Sequence, residues 1–172
     1  MPLFRAGDAD LAGVAELINS AYRDRSEQGW TTEADFFDGK RIDEEALRAD
    51  LAAQPDARMM TLRRSAEEPL QGCVWLEPKD AGTWYLGLLA VRPDHQGRQL
   101  GRSILEEAET MARDHGARRM RMTVVNIRDT LIAWYERRGY RRTGESIPFP
   151  YGHKFGQARR DDLSLIVLEK PL

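Results

Sequence analysis

The sequence of 172 residues holds one cysteine, Cys73, so no disulfide can close within the chain and no cysteine-based metal cluster can form. Cys73 lies in the apolar run Cys73-Val74-Trp75-Leu76, which reads as a buried small hydrophobe in preference to a nucleophile. No apolar run approaches the ~20 residues that a membrane-spanning helix needs, so no membrane partner is expected. The first residues carry Arg5, Asp8 and Asp10 where a secretory leader would carry an apolar stretch, and a cytoplasmic protein is expected. A surplus of basic residues is missing as well. The 26 Lys and Arg against 28 Asp and Glu give a net charge of −2, which leaves no general basic surface for nucleic acid. There are no internal repeats, low-complexity tracts or interdomain linkers, so residues 1–172 are expected to form a single domain, long enough to bury a core unaided. Hydrophobic residues at 41% and charged residues at 31% argue against disorder.

Apolar spacing supplies the elements. Leu3-Phe4-Arg5 reads as a short strand, and Asp8 or Asp10 as the cap of a helix carrying Leu11, Val14, Ala15, Leu17, Ile18 and Tyr22 on one face. A second helix is expected over Asp43–Ala52, with Ile42, Ala46, Leu47 and Leu51 inward. Residues 58–64 and 70–77 read as a hairpin, and Trp84–Val91 as a central strand. Leu100, Ile104, Leu105, Ala108, Met111 and Ala112 mark an amphipathic helix that Gly116 ends. In Arg119–Val125, Met120, Met122 and Val124 alternate with polar residues, as in a strand with one wetter face. A helix over residues 129–138 and strands over 140–145 and 163–170 complete the order β-α-α-β-β-β-α-β-α-β-β.

The most informative stretch is Val91–Leu105. The apolar run Leu86–Val91 meets Pro93, a loop with Gly97 and Gly101 follows, and a helix opens at once. The first turn of a helix has unpaired N–H groups and the positive end of the macrodipole, so a strand–loop–helix junction of this kind suits an anion, here flanked by Arg98 and Arg102. Two phosphate-binding patterns are absent. Gly97 to Ser103 is one residue shorter than a G-x-x-x-x-G-K-[ST] loop and lacks its Lys, which leaves a nucleotide phosphotransferase a poor reading, and no G-x-G-x-x-G occurs.

Gln96-Gly97-Arg98-Gln99-Leu100-Gly101 resembles motif A of the GNAT superfamily of N-acetyltransferases, [QR]-x-x-G-x-[GA], with Gln99 where the family usually has Gly. Leu131–Tyr140 resembles the family's motif B, in which Tyr135-Glu136 precede Gly139-Tyr140. The two blocks together cover roughly residues 83–145. The resemblance implies an α/β (α+β) GNAT-like fold whose central mixed sheet is splayed between its fourth and fifth strands and flanked by helices. It also implies acetyl-CoA as cosubstrate, with the pyrophosphate on Gln96, Gly97, Arg98, Gln99, Leu100, Gly101, Arg102 and Ser103. The pantetheine arm would run along Leu89, Ala90 and Val91. Arg128 occupies the position of the family's usual Asn and is assigned to the cofactor side.

By periodicity Tyr135 is a core residue of an amphipathic helix; the resemblance implies that it is the acid of the reaction. Acyl transfer from a thioester expels a thiolate, with a conjugate acid of pKa ~8.5 by the cysteine reference, which a phenol of pKa ~10 within reach can protonate. The strand Thr83–Leu89 carries no carboxylate, so Glu33, Asp35, Glu77, His153 and ordered water all stay open as the base. Trp30, Glu33 and Asp35 in the polar stretch 26–41, with Tyr85 on the central strand, are the candidates for the acceptor side. The alternative is that Trp30 caps the core while the acids are solvated. Residues 147–153 read as a lid or a dimer contact. The expected activity is acetyl transfer to a primary amine, on a small molecule or a peptide, by direct attack in a ternary complex, since no Ser/His or Cys/His set offers a nucleophile. No metal is implied, and a homodimer is the default assembly. The competing reading is a non-catalytic acetyl-CoA-binding sensor domain.

Overall fold

The fifth strand in chain order, β5 (Thr83–Val91), organises the molecule, because it is paired along one edge and only partly along the other. The computed structural model describes residues 1–23, 33–34, 36–152 and 156–172. Trp30, Asp35 and His153 lie outside the described residues. The chain runs through β1 (Phe4–Arg5), α1 (Leu11–Arg23), β2 (Phe37–Asp38), α2 (Glu44–Ala53), β3 (Arg58–Leu62) and β4 (Gly72–Pro78) before β5. After it come α3 (Leu100–Asp114), β6 (Arg119–Val125), α4 (Asp129–Glu136), β7 (Arg141–Pro148), β8 (Gln157–Ala158) and β9 (Ser164–Pro171). Seven strands form a mixed sheet in the order β1-β3-β4-β5-β6-β9-β7, with β5 and β6 the parallel pair.

The expected α/β architecture, a mixed sheet flanked by helices, is therefore present, with one addition. The two-residue strands β2 and β8 pair antiparallel as a separate ribbon, Phe37 opposite Ala158. Neither is expected as a strand from the sequence, because two-residue strands leave no periodicity to detect.

Both faces of the sheet are covered. On β4, Cys73 and Trp75 pack with Leu11, Val14, Ile18 and Leu47 of α1 and α2, while Val74 and Leu76 pack with Ile104, Leu105 and Ala108 of α3. Every residue of β4 up to Glu77 is buried, as a strand covered on both sides must be. Cys73 is fully buried, and that burial pushes its thiol up to about 12, which fits the packing role expected of it. In α2 the inward face is narrower than its spacing suggested. Leu47 and the preceding Ile42 are buried, whereas Ala46 is exposed, its amide spent on the Asp43 side chain that caps the helix (2.7 Å). At the start of α1, Asp10 accepts from the Gly7 amide (2.8 Å) and holds Arg63 (3.0 Å). Gly116 and Gly139 end α3 and α4 in the left-handed region, at φ 87° and 93°.

The stretch 147–153 is anchored through its described part. Phe149 is buried, stacks on Phe37 at 5.5 Å and joins Val125 and Leu163, and the Leu163 amide donates to the Tyr151 hydroxyl (2.9 Å). No helix among the described residues is long and apolar enough to cross a membrane.

Candidate active site

The parallel pairing of β5 with β6 stops after three positions, Thr83 with Arg119, Trp84 with Met120 and Tyr85 with Arg121. Beyond them β6 stays bound to β9 along its whole length, and β5 continues paired only with β4. The cause lies on the other edge. Against β4, Cys73 faces Ala90 but Trp75 faces Gly87, so three steps on β5 oppose two on β4. The extra residue forms a bulge in which Leu88 takes φ 48°, the left-handed region that a branched side chain seldom adopts. A bulge bends its strand, and here the bend coincides with the parting of β5 from β6. Tyr85 spans the start of the gap, its hydroxyl 3.1 Å from Thr123 Oγ1 on β6.

The end of β5 leads into a single helical turn (Pro93–His95) and then the glycine loop. Gln96 does not point outward; its Nε2 donates to the Val91 carbonyl (3.1 Å) and braces the loop against the strand. Gly97 sits at φ 85° and Gln99 at φ 61°. Gln99 is the residue before α3, and its side chain makes no capping bond. A left-handed non-glycine residue costs ~1–2 kcal/mol, so strain is stored where the family usually has Gly. The first helical bond runs from the Ser103 amide to the Gln99 carbonyl (3.0 Å). The amides of Gly97, Gln99, Leu100, Gly101 and Arg102 find no acceptor among the described residues. Those of Gln96 and Arg98 turn back onto Pro93 and His95 (3.3 and 3.4 Å), so the donor set is smaller than the sequence suggested.

A cavity of about 370 Å³ opens on these amides. Of the residues expected on the cofactor side, Leu89, Ala90, Val91, Gln96, Gly97, Gln99, Leu100, Gly101, Arg102 and Arg128 line it; Arg98 and Ser103 do not. Ala21, Tyr22, Leu131, Trp134, Tyr135, Arg137 and Arg138 complete the wall. A smaller cavity of about 90 Å³ lies beyond the gap, lined by Glu33, Arg41, Tyr85, Leu86–Leu89, Met122–Val125 and Leu165 among others. Tyr22, Leu89, Arg128, Leu131 and Tyr135 line both cavities.

Tyr135 is buried, with Trp134 and Tyr140 rings edge-on at 5.0 and 5.7 Å. Burial, aided by the nearby Tyr22, pushes its phenol well above the usual tyrosine range, against a smaller opposing pull from Arg128. Tyr22 is a functional candidate that the sequence reading missed. Its hydroxyl donates to the Leu89 carbonyl (3.2 Å) on the open edge of β5, and burial pushes its phenol up to about 12. Periodicity marks Tyr22 only as an apolar position of α1, and nothing local links it to a strand 67 residues away.

Glu33 is buried and bridges two guanidinium groups, Arg23 at 3.3 Å and Arg128 at 3.2 Å. The Arg128 guanidinium also lies 5.5 Å from the centre of the Tyr22 ring. Glu33 thus lines the second cavity as a carboxylate held between two guanidinium groups and not as a solvated acid. Glu77 holds Trp75 Nε1 (3.1 Å) and Lys79 (2.6 Å), and neither cavity includes it. Among the described residues, no three His, Cys, Asp or Glu side chains gather as a metal site.

The profile of the Acetyltransferase (GNAT) family matches residues 14–140. An IAA acetyltransferase of Azospirillum brasilense is 33% identical over 121 residues, which span 70% of this chain and 71% of that protein. Among solved structures, the PaiA N-acetyltransferase of Thermoplasma acidophilum in complex with coenzyme A superposes with a TM-score of 0.72, at 17% identity, over 99% of this chain and 98% of that one. A GNAT family acetyltransferase of Elizabethkingia anophelis with acetyl-CoA bound gives a TM-score of 0.58 at 17% identity, over 73% of this chain and 82% of that one. Sequence match, relative and fold agree, and this chain belongs to the GNAT family of acetyltransferases.

Proposed function

We propose that this protein is an acetyl-CoA-dependent N-acetyltransferase that passes the acetyl group directly to a primary amine. The observation that carries the reading is the meeting of two cavities at Tyr135, one against the open amides of α3 and the other across the gap between β5 and β6. The residues fit the cosubstrate. Unpaired amides at a helix start can donate to a diphosphate, and the walls from Leu89 to Val91 with Leu100, Leu131 and Trp134 suit a mainly apolar arm. Acetyl-CoA would supply an acyl group activated as a thioester.

The chain's own residues then have distinct tasks. Gly97 and Gln99–Arg102 hold the diphosphate through their amides. Leu89 and its neighbours orient the arm along β5, where the Tyr22 hydroxyl has to yield the Leu89 carbonyl if an amide of the arm is to take it. Tyr135 stays protonated at neutral pH because burial disfavours its anion, so it keeps a proton to donate to the departing sulfur as the carbon–nitrogen bond forms and the carbon–sulfur bond breaks. Tyr85 and Glu33 face the amine side. Both Glu33 oxygens already accept from guanidinium groups, so water is assigned the proton that the amine gives up.

That occupied carboxylate, with no acid on β5, also favours a second reading, a domain that binds acetyl-CoA without turning it over. Thiol release from acetyl-CoA, followed across a panel of small amines and peptides, separates the two. Acceptor-dependent release supports the enzyme; tight binding with no release above background for any amine supports the sensor.

A further inference from the structure

The wall of the larger cavity carries three arginines drawn from two helices, Arg102 in the first turn of α3 and Arg137 and Arg138 just past the end of α4. Arg138 is held in place. Its Cζ lies 3.7 Å from the centre of the Trp134 ring, and its Nη1 donates to the Trp134 carbonyl (2.8 Å). Its Nε is buried with no acceptor among the described residues. A stacked guanidinium is rigid, and a buried donor left open on it costs free energy until an acceptor arrives. The exposed Arg137 side chain makes no hydrogen bond or ion pair among the described residues, while Arg102 is paired to Glu106 (2.7 Å). Burial first, and then the charges of Arg137 and Arg102, make it harder for Arg138 to hold its proton. Three arginines against Glu106 leave a surplus of two positive charges on this wall.

Such a surplus, with open donors, fits an oxyanion bearing several acceptor oxygens. The loop amides already account for one such group, the diphosphate, on the proposed function. Coenzyme A carries a second, the phosphomonoester on the 3′ position of its ribose. With the diphosphate at the start of α3 and the thiol end directed inward along β5, the nucleoside end has to leave across the outer wall. We infer that Arg138, stacked on Trp134 and assisted by Arg137 and Arg102, binds the ribose 3′-phosphate, so that the protein selects coenzyme A over its 3′-dephospho form. Arg138 is thus a specificity-determining residue, outside the chemistry at Tyr135. The inference rests on the proposed use of the α3 amides.

Titrating the full chain with coenzyme A and with dephospho-coenzyme A tests it. The expected result is a preference for coenzyme A of about tenfold or more, as a charge-assisted contact would give. That preference should shrink as salt is raised. Arg137→Ala and Arg138→Ala should each weaken coenzyme A while leaving dephospho-coenzyme A within about twofold, moving the ratio toward one. Arg138→Lys, which keeps charge but loses the planar stack, should lose part of the preference. Arg137 is exposed, so its variant carries the test even if the Arg138 variants fail to fold. Equal binding of both ligands by the unaltered protein overturns the inference and leaves the diphosphate site standing. Equal weakening of both ligands by the variants overturns it too, by assigning the arginines to the diphosphate. Heat from neither ligand removes the proposed function itself.

Discussion

Tyr135 can only act as a donor. Its phenol is shielded from water, its anion is disfavoured by burial, and the ring is held between Trp134 and Tyr140. On the proposed function, a group in that state stabilises the departing sulfur by donating a hydrogen bond from a proton it retains, and it cannot serve as a base near neutral pH. Tyr135→Phe keeps the ring packing and removes the hydroxyl. It should lower kcat by about 100-fold, within the range for general acids, while acetyl-CoA affinity changes by less than about twofold. Steady-state rates beside direct binding measurements check this, and unchanged turnover would take Tyr135 out of the chemistry. Motif B pointed to Tyr135 from the sequence. Tyr22 carried no such signal, because its role comes from α1 crossing the open edge of β5, a contact between distant parts of the chain.

The site depends on how α3 sits on the sheet. Gly72, on β4 opposite Val91, lies under the first turns of α3. A Cβ there would overlap Ile104 Cδ1 and stand 2.9 Å from the Ala90 carbonyl. Gly72→Ala should therefore destabilise the fold by about 1–3 kcal/mol despite the better strand propensity of alanine, because the backbone carbonyl cannot step aside. A urea titration of both proteins reads this directly, and a variant as stable as the parent would show that α3 can shift freely.

The long elements were legible because α1 and α3 each repeat an apolar stripe and β6 alternates with period two. The parting of β5 from β6 was not. It arises from a one-residue bulge at Leu88, in a run of apolar residues whose pattern looks the same with or without it. The family resemblance, not the periodicity, foretold the gap. In the loop, the sequence marked the glycines and the missing one at Gln99, but not that Gln96 and Arg98 turn their amides inward, which depends on the geometry of the turn before them. Glu33 was marked as a polar residue near the acceptor. Its two arginine partners lie 10 and 95 positions away in sequence, beyond any local pattern.

As a whole the molecule encloses several ionisable groups in their neutral forms, and this sets how its stability responds to alkali. Burial pushes the Cys73 thiol up to about 12 and the Tyr135 and Tyr140 phenols above the usual tyrosine range, with Glu109 adding to the effect on Tyr140. A folded-state pKa above the unfolded one means stability that is complete below the unfolded pKa and lost as pH rises past it. The loss should begin near pH ~8.5 for the thiol and ~10 for the phenols, at roughly 1.4 kcal/mol per pH unit for each group once its unfolded form ionises. Urea midpoints measured from about pH 7 to about pH 11 should be flat at first and then fall with steepening slope. A flat profile throughout would mean that these side chains are not enclosed as described.

On the proposed function, the larger of the two cavities that share Tyr22 and Tyr135 receives the acyl donor. Calorimetric titration of the purified protein with acetyl-CoA tests this most directly. Saturable one-to-one binding is predicted, weakened by about tenfold or more in Gly101→Glu, whose added carboxylate would enter beside the open amides and near Trp134. No saturable binding of acetyl-CoA, or equal affinity in Gly101→Glu, would contradict the account.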